Sequence, residues 1–245
     1  MTTRDPDENG WASSAPAWIA RSQYGGDFSR EHVLDKPMMA RVLALGGGHA
    51  LDVGCGEGRF CRMMAAEGFQ TTGIDPVPAM LDAARSADPD GTYVEGFAET
   101  LPFEDAIFDL VVSYLSLIDI DDAETTIAEM VRVLKPGGRI LVANLSSFAT
   151  SSAAFGRRNC AETGDELRPL GHYLREEKLW FAWDGLRIQN WHRPLSCYIR
   201  WFLAQGLTLT HFDEPQPCSG PPDRIVKYEK MPYLMMMEWQ KLTSV

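Results

Sequence analysis

"LDVGCGEGRF", residues 51–60, is an apolar run that carries Asp52 and then sets glycines at three alternate positions, Gly54, Gly56 and Gly58. Glycine adopts backbone conformations closed to other residues and lets another molecule touch the main chain. A turn from a strand into a helix also offers unpaired N–H groups. The spacing therefore predicts a ligand that approaches the backbone closely at the end of a strand.

Outward from this loop, residues 49–145 alternate between two patterns. "HALDV", "QTTGID", "TYVEG", "FDLVVSYL" and "GRILVANL" are short runs rich in Val, Ile, Leu and aromatics, each stopped by turn residues. Between them lie helical patterns: "GRFCRMMAAEG" stops at Gly68, "VPAMLDAARSA" follows Pro76, and "DAETTIAEMVRVL" ends before Lys135-Pro136-Gly137-Gly138. Strand and helix in alternation predict a parallel, doubly wound α/β sheet, with ligands at the carboxyl ends of its strands. The glycine loop lies at such an end.

The flanks break the alternation, and no internal repeat is visible. Residues 1–45 are expected to form a helical lid of one or two helices, 46–145 the cofactor-binding core, 146–193 a cap insertion with a hairpin, and 194–245 the completion of the sheet. Residues 146–176 have weak periodicity. "KLWFAWDGLRIQNWH" reads as a hairpin about Asp184-Gly185, a dipeptide suited to a type I′ turn. That turn would put Phe181, Trp183, Leu186 and Ile188 on one face, with Asn190 and His192 further along it. A helix "PLSCYIRWFLAQG", a strand "LTLTHFDEP", a proline-rich loop and a strand near "PYLMMMEWQK" follow, the methionines being ascribed to alternation in that last strand.

Composition excludes several function classes. The 245 residues are 45% apolar, enough for a sizeable core. A net charge of −11 opposes nucleic acid as a partner. The five cysteines show no CxxC or Cys/His spacing of a zinc site, so no metal is expected and the thiols are read as reduced. No run approaches a membrane span, which makes the cytoplasm the expected location.

The loop admits more than one nucleotide. A dinucleotide fingerprint needs GxGxxG, but the third position counted from Gly54 and Gly56 is Arg59. Asp75 closes the second strand 23 residues after Asp52, where a carboxylate accepts hydrogen bonds from ribose hydroxyls.

In "LDVGCGEGRF", "TTGIDPVPAMLDAAR", "EGFAETLPFEDAIFDLVVS" and "EMVRVLKPGGRILV" the chain resembles the class I S-adenosylmethionine-dependent methyltransferases, in the small-molecule branch related to the ubiquinone and menaquinone pathway enzymes. The resemblance covers about residues 49–145. It implies a Rossmann-like seven-stranded sheet whose last strand is antiparallel, with "LTLTHFDEP" and "PYLMMMEWQK" as its sixth and seventh strands, N-terminal helices, and a cap after the fifth strand. It implies S-adenosylmethionine as cofactor and S-adenosylhomocysteine as product. It places Asp52, Gly54 and Gly56 beside the methionyl and ribosyl groups, Asp75 on the ribose, Pro76, Val77 and Met80 along the adenine, and Phe97, Ala98 and Glu99 at its border. Many relatives carry Asp where this chain has Phe97, so adenine contact there becomes apolar or main-chain. Ser113, Tyr114 and Leu115 end the fourth strand, where family members meet the reactive methyl.

Methyl transfer asks little of the protein beyond alignment, because the cofactor supplies the activated group. A base is needed only for some acceptors. His192 is the candidate for that role, weighed against a hydrogen-bonded core histidine, with Tyr114 as a second candidate; His172 and Tyr173 rank below. Tyr24 and Arg30 are candidate lid contacts for the cofactor carboxylate. Trp180, Trp183, Trp191 and Trp201 are read first as core, yet so many aromatics outside the cofactor core suggest a small acceptor that is partly apolar or aromatic. An NAD-dependent oxidoreductase and a nucleoside-binding protein without turnover remain the alternatives.

Overall fold

The computed structural model describes residues 7–22, 27–153, 158–159, 161–164, 166–167 and 169–243. Its centre is a seven-stranded sheet in the order β10-β11-β5-β4-β1-β2-β3. In chain order the strands are β1 (His49–Val53), β2 (Gln70–Asp75), β3 (Thr92–Glu95), β4 (Phe108–Tyr114), β5 (Leu134–Leu145), β10 (Thr208–Asp213) and β11 (Leu234–Gln240). Strand β1 is parallel to both neighbours, with Asp52 opposite Gly73 of β2 and Val112 of β4. The chain order reverses between β1 and β4, so the switch point lies beside the glycine loop.

Strand β11 enters between β5 and β10 and runs antiparallel to both. Its sequence "LMMMEWQ" does not alternate, because the strand is buried through six successive residues. Helices cover both faces of such an interior strand, so a continuous apolar run replaces the expected alternation. The exception, Glu238, is 1% exposed and accepts from Arg41 (2.8 Å, twice), Arg139 (2.9 Å) and Thr210 (2.7 Å). Burial of that carboxylate is tolerable only because it is so fully bonded.

Helices α3 (Arg59–Ala66), α4 (Pro78–Ala87) and α5 (Ala123–Val133) form the crossovers, as the 3.6-residue patterning predicts. Pro78 starts α4 without losing a bonded N–H, and the Asp122 carboxylate caps α5 by accepting from Thr125 N (2.9 Å). Helix α7 (Leu195–Ala204) carries Trp201 and Phe202 into one core layer, where Phe202 stacks on Trp239 at 4.9 Å. The opposite layer is built from Phe28, Val33, Leu34 and Met38 against Phe60 and Met64.

Upstream of the sheet come α1 (Trp11–Ser22), a π-helical segment (Ser29–Leu34) and α2 (Asp35–Leu43). Downstream of β5 come α6 (Ser147–Ala153), two two-residue strands, β6 (Arg158–Asn159) and β7 (Glu166–Leu167), and the hairpin of β8 (Glu177–Trp183) and β9 (Leu186–His192). Its turn residues have φ of 47° at Asp184 and 82° at Gly185, and the register pairs Phe181 with Ile188 and Trp183 with Leu186. Both positive values suit a type I′ turn. The hairpin and α1 hold each other over the carboxyl edge of the sheet: Gln189 N donates to Asn9 O (2.9 Å), and Ser14 Oγ both donates to Arg187 O and accepts from Arg187 N. The proline-rich stretch contains an unexpected helix, α8 (Pro222–Glu229), which begins on its own proline.

Candidate functional site

At the carboxyl end of β1 the glycine loop is forced into shape by its neighbours. Gly54 has φ 74°, and a Cβ there would lie 2.5 Å from Ser116 Cβ, so no other residue fits. Gly54 N and Cys55 N both donate to Ile74 O, which ties the loop to the end of β2. One residue on, Gly56 N donates to Asp75 Oδ2 and Val77 N donates to Asp75 Oδ1, each at 2.9 Å. The Asp75 carboxylate is thus fixed at both oxygens, each of which keeps a lone pair directed elsewhere.

Asp52 lies beside it, 2% exposed, with Oδ2 accepting a weak bond from Cys61 Sγ at 3.7 Å and Oδ1 buried without a hydrogen-bond partner. Burial pushes its carboxyl up to about 7 and that of Asp75 up to about 6, the latter against the two N–H groups that favour its anion. An orphaned carboxyl oxygen and a pinned carboxylate facing one cavity suit a ligand that brings its own donors. An amino acid ammonium and a ribose diol are such donors, so these residues fit S-adenosylmethionine.

That cavity takes in most of the residues expected of it. Asp52, Gly54, Gly56, Asp75, Pro76, Val77, Met80, Phe97, Ala98, Glu99, Tyr114 and Arg30 all line it. Tyr24 lies outside the described residues. Arg30 is committed to an ion pair with Asp27 and lies over the rings of Trp18 (4.7 Å) and Tyr114 (5.7 Å). Tyr114 donates its hydroxyl to Asp35 Oδ1 (2.8 Å), and burial holds its phenol above the usual range. Its hydroxyl is thus engaged within the protein, and the residue lines the cavity. Arg59, the residue that breaks the dinucleotide pattern, pairs with the same Asp35 and fastens the start of α3 to α2.

Two expected residues do not reach the cavity. Ser113 is fully buried and shares a hydrogen bond with Ser116 Oγ (2.7 Å); it is Ser116 that lines the wall. His192 is 1% exposed, with Nδ1 against Thr150 Oγ1 (2.8 Å) and Nε2 against Tyr173 O (3.0 Å). Both ring nitrogens are occupied by structure, and of its two readings the geometry fits that of a core histidine joining β9 to α6.

A second cavity, of about 250 Å³, opens beside the first and shares Trp11, Trp18, Arg21, Asp27, Arg30, Leu115 and Asp119 with it. Trp183, Ile188 and Asn190 of the hairpin, Phe28, and Arg224 and Tyr228 of α8 also line it. Trp201 is core as expected, Trp191 donates its indole N–H to Asp121 Oδ1 (2.9 Å), and Trp180 is exposed. Helix α8 reaches the cavity by packing Tyr228 on Phe28 (5.1 Å) and bonding its hydroxyl to Ser29 Oγ (2.9 Å).

Trp11, Trp18, Glu57 and Asp119 join the cavity lining without a local signal in the sequence. Trp18 donates its indole N–H to Glu57 Oε2 (3.3 Å), closing α1 onto the glycine loop. Asp119 stands in "IDIDDAE", where three acids within four residues look like one solvated run. The three have separate tasks: Asp122 caps α5, Asp121 meets Trp191 and Lys178, and Asp119 faces both cavities.

Comparison with known proteins agrees with this geometry. Residues 51–142 match the model of a methyltransferase domain family. The chain is 31% identical to a malonyl-[acyl-carrier protein] O-methyltransferase of Enterobacter lignolyticus, over 72% of this chain and 71% of that protein. It is 35% identical to the enzyme of the same name from Serratia marcescens, where the match spans 52% of each. An S-adenosylmethionine-dependent methyltransferase structure from Mesorhizobium loti superposes with a TM-score of 0.73 at 24% identity, covering 84% of this chain and 96% of the other. A relative above 30% identity matched over more than two thirds of its length, a matching family model, the seven-stranded sheet and the pinned Asp75 lead to one assignment: the chain belongs to the class I S-adenosylmethionine-dependent methyltransferases.

Proposed function

We propose that the protein methylates a small organic acceptor with a flat or apolar body, seated in the second cavity. The observation that carries this reading is the junction of the two cavities at Leu115, Arg30 and Asp119, beyond the carboxyl end of β4. When bound, S-adenosylmethionine supplies a methyl group already activated by its sulfonium. Asp75 and Asp52 hold the cofactor by its donors, and Pro76, Val77, Met80 and Phe97 enclose its base. Trp11 and Trp18 roof both cavities and exclude water, while Leu115 and Arg30 fix the line along which an acceptor approaches. Alignment of this kind contributes up to ~7–11 kcal/mol in well-oriented systems.

The relatives named above act on a carrier-bound malonyl group, which keeps a carrier-tethered acid among the acceptors to be tried. Incubation with methyl-labelled S-adenosylmethionine and a panel of phenols, carboxylic acids, amines and acyl carriers tests the reading. Label in a low-molecular-weight product supports it; label confined to the carrier protein contradicts it. An NAD-dependent oxidoreductase is not favoured, since Arg59 fills the third fingerprint position and is held there by Asp35.

A further inference from the structure

We infer that Asp119 is the proton acceptor for a hydroxyl-bearing substrate, so that the preferred acceptors are phenols and enols rather than carboxylates. The inference rests on the proposed use of the second cavity for the acceptor. Asp119 lies on the loop between β4 and α5 and lines both cavities, so a molecule that spans their junction passes its carboxyl.

The carboxyl is oriented from two other elements. Asn190 of β9 donates its amide to Asp119 Oδ1, and the indole of Trp11 bonds the same side chain. Its loop is clamped as well: Trp191 N donates to Ile118 O (2.7 Å), and Arg193 donates to the carbonyls of Leu117, Ile120 and Asp121 at 2.7–3.0 Å. An oriented carboxyl beside a reaction line is what a general base requires.

Burial pushes the Asp119 carboxyl up to about 8, outweighing the two donors and the charge of Arg30, with Asp75 adding to the rise. Arg21 and Asp27 also face the junction, from α1 and from just before the π-helical segment. A base in this range matches the task of removing a phenolic proton far better than an ordinary aspartate does.

The step balances as follows. The acceptor oxygen forms a bond to the methyl carbon, the carbon–sulfur bond breaks with its pair kept by sulfur, and the acceptor proton passes to the Asp119 carboxylate. A carboxylate acceptor has no proton to give at neutral pH, so its methylation needs no base at this position.

Three flat probes that differ only in the nucleophile, 2-naphthol, 2-naphthoate and 2-naphthylamine, are assayed with labelled S-adenosylmethionine. The Asp119 carboxyl is titrated in parallel by NMR on [13C]aspartate-labelled protein, assigned by its absence in Asp119→Asn. The expected result is methylation of 2-naphthol with kcat/KM rising through a single ionisation near the one NMR assigns to Asp119. Asp119→Asn lowers kcat about 100-fold or more, abolishes that limb, and leaves S-adenosylhomocysteine affinity within about threefold. Asn190→Ala, which removes a donor to the anion, moves both the limb and the NMR titration to higher pH. Retention of rate and limb in Asp119→Asn overturns the proposal, as does methylation of 2-naphthoate in place of 2-naphthol, or of none of the probes by protein that binds S-adenosylhomocysteine. Failure of the wild-type protein to bind S-adenosylhomocysteine overturns instead the reading of the site on which the proposal stands.

Discussion

At Gly54 and Gly56 the same residue type answers two different demands. A methyl group at Gly54 meets Ser116 Cβ at 2.5 Å, whereas at Gly56 it meets nothing within 4 Å and only the φ of 53° opposes it. Left-handed strain costs an ordinary residue ~1–2 kcal/mol, and forced overlap in a packed site a further ~1–3 kcal/mol. Gly56→Ala is therefore expected to lower stability by ~1–2 kcal/mol and Gly54→Ala by clearly more, as read by urea unfolding of the two variants side by side. Equal losses would show that the close approach to Ser116 is not a constraint. The residues missed at this scale were those whose neighbours come from afar. Asp119 sits among acids of its own loop, but its partners Asn190 and Trp11 are 71 and 108 residues away in sequence. The two readings of His192 stay open in the sequence for the same reason, because nothing local announces that Thr150 and the Tyr173 carbonyl take both its nitrogens.

Among the elements, the five leading strands and their crossover helices were legible because each is a short run whose period and stop signals are local. The hairpin was legible from two residues, since Asp184-Gly185 fixes the turn and the turn fixes the register. Helix α8 was not, because prolines at its first turn read as loop until packing of Tyr228 on Phe28 gives it a face to bury. The seam between the hairpin and the loop after β4 depends on Arg193, 2% exposed, whose guanidinium satisfies three carbonyls of residues 117–121. Arg193→Met keeps the stem and leaves those carbonyls unpaired, so a loss of ~3–5 kcal/mol is expected. At ~2–4 °C per kcal/mol for a chain of this size, the melting temperature should fall by roughly 10 °C. An unchanged melting temperature would mean that the seam opens to water without consequence for the core.

Across the whole molecule, the carboxyls gathered at the switch point make stability depend on pH in a particular sense. Asp52, Asp75 and Asp119 are raised by burial to about 7, 6 and 8, against an ordinary value of 3.8. Each binds its proton more tightly folded than unfolded, so each contributes stability that is present below about pH 4 and is lost as pH climbs through the folded values. Between pH 5 and 8 the ligand-free protein should thus grow less stable toward unfolding by urea, and Asp52→Asn should flatten the slope. A slope of opposite sign would place these carboxyls in contact with water or cations. The arrangement has a functional side: a site that stores unfavourable carboxylates is stabilised by a ligand that brings donors to them.

The measurement that bears most directly on the assignment is calorimetric titration with S-adenosylmethionine, S-adenosylhomocysteine and NAD, on the wild type and on Asp75→Ala. Both sulfur nucleosides should bind and NAD should not. The variant should lose about thirtyfold or more in affinity, equivalent to the ~2 kcal/mol of charge-assisted hydrogen bonds that Asp75 offers a ribose. Binding of NAD alone, or sulfur-nucleoside binding that is indifferent to Asp75, would contradict the cofactor site described for this chain.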